Sequence, residues 1–308
     1  MERMKIRNTL LLLLTAFIWG VAFVAQTTGG QAVGAYTFIC IRYLIGAVVL
    51  LPVIRALDRM QLTERRPETK EEWKKQWIAG IACGCCLFFA SCFQQLGINA
   101  GTAAGKAGFL TACYIVLVPI LSIFLGKKCS KVIWLAVGIT LVGLYLLCMS
   151  GSLTMQFSDI LVLICSLLFA CHILTIDHFV SSVDAVRMSC IQFLTAGVLG
   201  IVPMFFLEMQ HSPAGILAWA QTLKSPGGWI SILYAGVLSS GVAYTLQIVG
   251  QQGMNPTVAS LLMSLESVFS VLAGWVILQQ TLGARELLGC LLIFAAVVLA
   301  QLPMPAEK

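Results

Sequence analysis

Two residues carry charge where the surrounding sequence is apolar: Glu266, inside the run 256–279, and Arg42, inside the run 35–55. Helical rise would put Glu266 about 15 Å from the start of its run. A charged side chain at the centre of a membrane helix costs at least about 2.5 kcal/mol, so such residues face a cavity or a partner rather than lipid. Glu266 could bind a substrate ammonium group or carry a coupling proton; the plainer alternative is a structural carboxylate bonded to Ser264 or Ser267. Arg42 could take a substrate carboxylate bidentately, or hold two helices together through backbone carbonyls. Lys106, near the start of the run 103–125, is expected to extend its ammonium to the interface. Trp19, Gln95, Tyr114, His172, Gln192, Tyr244 and Gln247 supply the aromatic walls and hydrogen-bonding groups that small-solute sites use, although each could equally serve as a polar bond between helices.

Other patterns point to chemistry less well. His172 and Asp177 make the His-x4-Asp spacing of glycerolipid acyltransferases, in which the His is a general base. Residues five apart on a helix point in different directions, and no second acyltransferase block follows, so a membrane-embedded lipid-modifying enzyme is the alternative reading. Cys83, Cys85, Cys86 and Cys92 have no second pair at zinc-site spacing and no His nearby. Of the twelve cysteines all but Cys129 fall in apolar runs, where a thiol packs as a small hydrophobe. No Gly-x4-Gly-Lys-Ser/Thr motif occurs, so ATP-driven transport has no support. Neither a metal nor a cofactor is expected.

These groups must be positioned by elements that suit lipid. The chain has 308 residues, 59% hydrophobic and 10% charged, with a mean hydropathy of +0.94; soluble domains run near a quarter charged. Apolar runs long enough to cross a hydrocarbon core of about 30 Å fall at roughly 9–27, 35–55, 76–97, 103–125, 131–150, 157–179, 186–207, 229–250, 256–279 and 285–302. The connectors are short except Arg55 to Gln76 and Glu208 to Gly228. The basic start Met1 to Arg7 before an apolar run imitates a signal peptide, but the length of that run and the many later spans favour a retained anchor.

Arg3, Lys5, Arg7, Arg55, Arg59, Arg65, Arg66, Lys70, Lys74, Lys75, Lys127, Lys128, Lys131, Arg187 and Lys308 share one side of such a chain, and only Lys106, Lys224 and Arg285 lie on the other. The side rich in Lys and Arg is cytoplasmic, so both termini are expected in the cytoplasm and the protein in the cytoplasmic membrane. The net charge of +6 reflects this topology, and no nucleic-acid partner is expected.

Laying the second half on the first at an offset of about 150 pairs Phe17-Ile18-Trp19-Gly20 with Leu167-Leu168-Phe169-Ala170 and Arg42-Tyr43 with Gln192-Phe193. With a slip of two, Gln95 falls on Gln247, Ala107 on Ala259, Tyr114 on Glu266 and Ser122 on Gly274. Five spans per copy is an odd number, so the second copy enters the membrane from the opposite side. The expected fold is all-α, with about ten transmembrane helices as two inverted five-helix repeats, residues 1–150 and 151–308, and a substrate site near the midplane between them.

Several stretches bear a resemblance: Ile18-Trp19-Gly20-Val21-Ala22-Phe23, Arg42-Tyr43, Gly105-Lys106-Ala107-Gly108-Phe109-Leu110-Thr111 through Val118-Pro119, Leu265-Glu266-Ser267-Val268-Phe269, and Glu286-Leu287-Leu288-Gly289 followed by Leu292-Ile293. In these the chain resembles the EamA-type permeases of the drug/metabolite transporter superfamily. The resemblance implies a secondary transporter of small metabolites such as amino acids or drug-like solutes, commonly outward, driven by ion gradients or by exchange. One departure is visible, because Leu125-Gly126-Lys127 and Leu278-Gln279-Gln280 stand where such permeases often have Leu-Gly-Glu. The expected partners are a small-molecule substrate, the lipid bilayer and coupling protons. Small residues at four-residue spacing, Gly101 with Gly105 and Ala104 with Gly108, suit packing of the fourth span within its own half or a homodimer.

Overall fold

A computed structural model describes residues 2–63, 65–102, 104–127, 129–149, 155–278 and 283–301; Lys128, Gln279, Gln280 and Lys308 lie outside them. In lipid every backbone polar group must be satisfied within the chain, and the described residues are accordingly helical apart from short connectors, with no strand among them. Helices α1 (Glu2–Val33), α2 (Ala35–Arg59) and α3 (Lys70–Asn99) form the first three spans. The fourth is made of two pieces, α4 (Ala104–Ala112) and α5 (Tyr114–Phe124), and the fifth is α6 (Lys131–Cys148). In the second half α7 (Phe157–Phe179) and α8 (Ala185–Pro203) are the sixth and seventh spans, and the short α9 (Pro213–Thr222) lies in the connector. The eighth span is α10 (Pro226–Leu233), a π-helical stretch Tyr234–Tyr244, and α11 (Thr245–Gln251). The ninth is again two pieces, α12 (Pro256–Met263) and α13 (Glu266–Leu278), and α14 (Ala284–Gln301) is the tenth. Nine of these spans are long and apolar enough to cross a membrane, and the tenth, Lys131–Leu147, is shorter and equally apolar.

Local chemistry sets the ends. Thr69 and Glu72 make a reciprocal cap at the start of α3, and the Asp184 side chain accepts from the Arg187 N–H at the start of α8. Pro226 and Pro256 occupy the first turns of α10 and α12, where a missing N–H is harmless.

The orientation of the two halves follows from which ends meet. Arg187, near the start of α8, reaches Asp58 at the end of α2, while Glu208, just past the end of α8, reaches Tyr36 and Thr37 at the start of α2. These two helices are therefore antiparallel. The same holds for α6 and α14: Gly143 lies against Gly289 and Ile293, and the Arg285 guanidinium sits over the Tyr145 ring. Repeat-equivalent helices that run in opposite directions make an inverted repeat, and the fold is all-α with two inverted five-helix sets. Each set packs chiefly against the other: α3 lies along α7 and α8, and α1 along the eighth and ninth spans.

Two expectations change. Lys106 does not simply extend to the interface; it pairs with Asp159, whose side chain is buried in the first turn of α7. Gly108 of the fourth span faces Ser267 of α13 rather than a helix of its own half, and no described atom lies within 4 Å of a Cβ built on Gly101. The close crossings lie elsewhere, such as Gly20 of α1 on the backbone of α13, and Gly143 of α6 on Gly289 of α14.

Candidate substrate site

A cavity lies between the two halves. Its polar groups are Arg42, Glu266, Gln26, Gln94, Gln247, Thr111 and Ser239, and its walls are Trp19, Phe23, Tyr114, Phe169, Ile173, Tyr244 and Met263. Four repeat-equivalent pairs stand in this lining: Trp19 with Phe169 and Phe23 with Ile173 at the offset of about 150, and Thr111 with Met263 and Tyr114 with Glu266 after the slip of two. A cavity lined by both members of such pairs lies on the pseudo-two-fold axis, where inverted-repeat transporters place their substrate.

Broken helices bring the reactive groups there. Tyr114 opens α5 after the break at Cys113, and Glu266 opens α13 after the break at Ser264 and Leu265. Both breaks tighten the turn in the same way: the Cys113 N–H donates to the Leu110 carbonyl and the Leu265 N–H to the Leu262 carbonyl, each at 3.3 Å. Irregular backbone at membrane depth is tolerated only where it is buried in protein or lines a cavity. The Tyr114 hydroxyl donates across the axis to Glu266 Oε1 at 3.3 Å, joining residues 152 apart. The π-helical stretch contributes Ser239 and Tyr244, and its wide turns leave the Ser239 carbonyl to accept from Trp19 Nε1 at 3.3 Å. Trp19 and Tyr244 pack with ring centroids 4.6 Å apart.

The cavity holds one basic and one acidic side chain, Arg42 and Glu266. Glu266 is 5% exposed, and Tyr114 is its described hydrogen-bond partner. The serine alternatives do not hold it: Ser264 donates to the Leu261 carbonyl at 2.7 Å, and Ser267 Oγ is buried without a partner. Arg42 is 2% exposed. Its Nη2 donates to the Tyr43 hydroxyl at 2.9 Å, and its guanidinium carbon lies 5.4 Å and 4.6 Å from the Phe38 and Tyr43 ring centres. The Tyr43 hydroxyl in turn bonds Ser91. Among the described residues Arg42 Nε has no hydrogen-bond partner, and neither do the side-chain oxygens of Gln26 and Gln247. Among the described residues neither Arg42 nor Glu266 has an ion-pair partner, so a basic and an acidic side chain without counter-ions face the same cavity.

Of the residues expected from sequence, Trp19, Arg42, Tyr114, Tyr244, Gln247 and Glu266 line the cavity. Gln95, Gln192 and His172 stand behind it. Gln95 Nε2 donates to the Gln26 carbonyl and to Asn99, tying α3 to α1. His172 Nε2 bonds Gln192 Oε1 at 3.0 Å, and its ring packs edge-on to Tyr244. His172 and Asp177 diverge, since Asp177 pairs with Lys127 at the end of its span, so the spacing forms no catalytic pair. No metal-binding group of His, Cys, Asp and Glu occurs among the described residues. Phe23, Gln26, Gln94, Thr111, Phe169, Ile173, Ser239 and Met263 were not expected. The repeat itself carried a signal for Phe169, because Phe169 is the equivalent of Trp19.

The model of the EamA-like transporter family matches the chain twice, over residues 7–149 and 156–302. An uncharacterised transporter of Archaeoglobus fulgidus is 26% identical over 297 residues, covering 94% of this chain and 84% of that one. A solved crystal structure of a protein 17% identical in sequence aligns with a TM-score of 0.74 over 96% of each chain, a likeness of fold. A family match that takes in both halves of an all-helical chain, each half supplying wall to one central cavity, makes this membrane protein a member of the EamA-like transporter family, within the drug/metabolite transporter superfamily.

Proposed function

We propose that the protein is a secondary transporter of small zwitterionic metabolites of the amino-acid kind, working by alternating access across the cytoplasmic membrane with both termini in the cytoplasm. Export is the direction that the family resemblance implies, and residues 1–150 and 151–308 act as the two repeats. One observation carries the reading: Arg42 and Glu266, a basic and an acidic residue without ion-pair partners among the described residues, line a single cavity between the halves. A solute carboxylate suits the Arg42 guanidinium, and an ammonium group suits Glu266, the unpartnered Gln26 and Gln247 oxygens and the faces of Trp19 and Tyr244. Burial of an unpaired charge is costly, and a zwitterion neutralises both poles at once.

Thermal unfolding of the purified protein with a panel of neutral amino acids tests this, since a ligand that binds the native state raises its melting temperature. At least one amino acid is expected to stabilise the protein more than its decarboxylated amine or its deaminated acid. Equal stabilisation by a one-charge analogue would overturn the two-pole assignment.

A further inference from the structure

The seam between α2 and α8 is closed at both ends. At one end Arg187 donates to Asp58 Oδ2 at 2.5 Å and Thr63 donates to Asp58 Oδ1 at 2.7 Å. Gln76 braces that end by exchanging two hydrogen bonds with the Asp184 backbone. At the other end the Glu208 carboxylate accepts from the Tyr36 N–H at 2.8 Å, the Thr37 N–H at 2.7 Å and the Thr37 hydroxyl at 2.5 Å. Trp219 braces this end by donating to Thr37 Oγ1 at 2.7 Å. At the repeat offset of about 150, Asp58 falls on Glu208 and Thr37 falls on Arg187, so the two closures are the same contact made twice. Between them Tyr43 and its equivalent Phe193 stack with centroids 5.8 Å apart and planes 6° from parallel. Equivalent residues in mutual contact lie on the pseudo-two-fold axis.

Symmetry then decides what the seam does. If inverted repeats change access by exchanging conformations, the exchange carries one end of the α2–α8 seam onto the other. A seam open at one end would alternate; a seam shut at both ends maps onto itself. We propose that α2 and α8 form the fulcrum of the transport cycle, with Asp58, Arg187, Glu208 and Thr37 as the positioning residues that hold it shut in both access states. The proposal rests on the alternating-access reading above. It fixes Arg42, carried on α2 beside Tyr43, to the axis while the cavity opens elsewhere. The flanking seams are the ones free to differ: the Lys106–Asp159 pair of the fourth and sixth spans falls on Val258 and Thr9 in the other half.

Native cysteines supply the test. A Cβ built on Gly200 stands 3.2 Å from the Cβ of Cys40, a few tenths of an ångström inside the usual disulfide spacing, so Gly200→Cys is placed to be oxidised onto Cys40 in the intact chain. Leu50→Cys against Cys190 is the equivalent pair near the other end of the seam. It removes volume rather than adding it, and so guards against a variant that fails to pack. Each is combined with Ser239→Cys in the cavity, labelled by an impermeant thiol reagent in right-side-out and inside-out vesicles, with the cross-link verified by mass spectrometry. Cross-linking is expected to change labelling from either side by less than about twofold, because a seam shut in both states does not shift their populations. Loss of labelling from one side after oxidation overturns the fulcrum, and so does failure of both cross-links to form. Labelling from fewer than two sides before oxidation overturns alternating access, and the fulcrum with it.

Discussion

Tyr114 and Glu266 each open the second piece of a broken span and meet hydroxyl to carboxylate across the pseudo-two-fold axis. Removing the phenol oxygen leaves a buried carboxylate without its described protein donor, which costs about 1–3 kcal/mol. Tyr114→Phe is therefore expected to lower stability by that amount in thermal or denaturant unfolding of the detergent-solubilised protein; an unchanged midpoint would show that the bond contributes nothing. Glu266 and Arg42 were legible in the sequence because an ionisable residue in an apolar run is rare and costly. The pairing of Lys106 with Asp159 was not, because the partner lies in another span and leaves no local mark. Gln95 and His172 show the converse: their residue types suit a ligand site, but only packing decides whether an amide or imidazole faces a cavity or a neighbouring helix.

The spans that shape the cavity depend on close backbone contact. A Cβ on Gly20 would stand 2.6 Å from Phe269 Cβ and 2.8 Å from both the Glu266 carbonyl oxygen and the Ser270 nitrogen. Backbone atoms of a neighbouring helix cannot rotate aside, so α1 must move off α13. Gly20→Val is expected to destabilise by about 1–3 kcal/mol and to move the Glu266 segment; thermal unfolding checks the first, and wild-type stability would contradict the crossing described here. The ten spans themselves were legible from runs of apolar residues, but the breaks at Cys113 and Ser264–Leu265 were not. Neither break holds a Gly or Pro, and a change from i−4 to i−3 hydrogen bonding leaves hydropathy untouched. The π-helical turns at Tyr234–Tyr244 escape notice for the same reason.

For the molecule as a whole, an odd number of spans per copy was enough to infer inversion, and the antiparallel pairs α2 with α8 and α6 with α14 agree with it. That each half packs mainly on the other was not legible, since periodicity shows which residues avoid water and not which helix they meet. On the alternating-access reading proposed above the interleaving matters, because a cavity walled by both halves changes its exposure when they move relative to one another. On the function proposed above, this cavity carries the solute and Glu266 is one of its two poles. Counterflow of a stabilising neutral amino acid in proteoliposomes tests it most directly, with wild type and Glu266→Gln reconstituted at equal density. Loss of one charged contact, worth about 1.4 kcal/mol or more, corresponds to at least a tenfold change, so Glu266→Gln is expected to fold and insert normally while its flux falls at least tenfold. Full flux by Glu266→Gln would contradict it and leave Glu266 a structural residue.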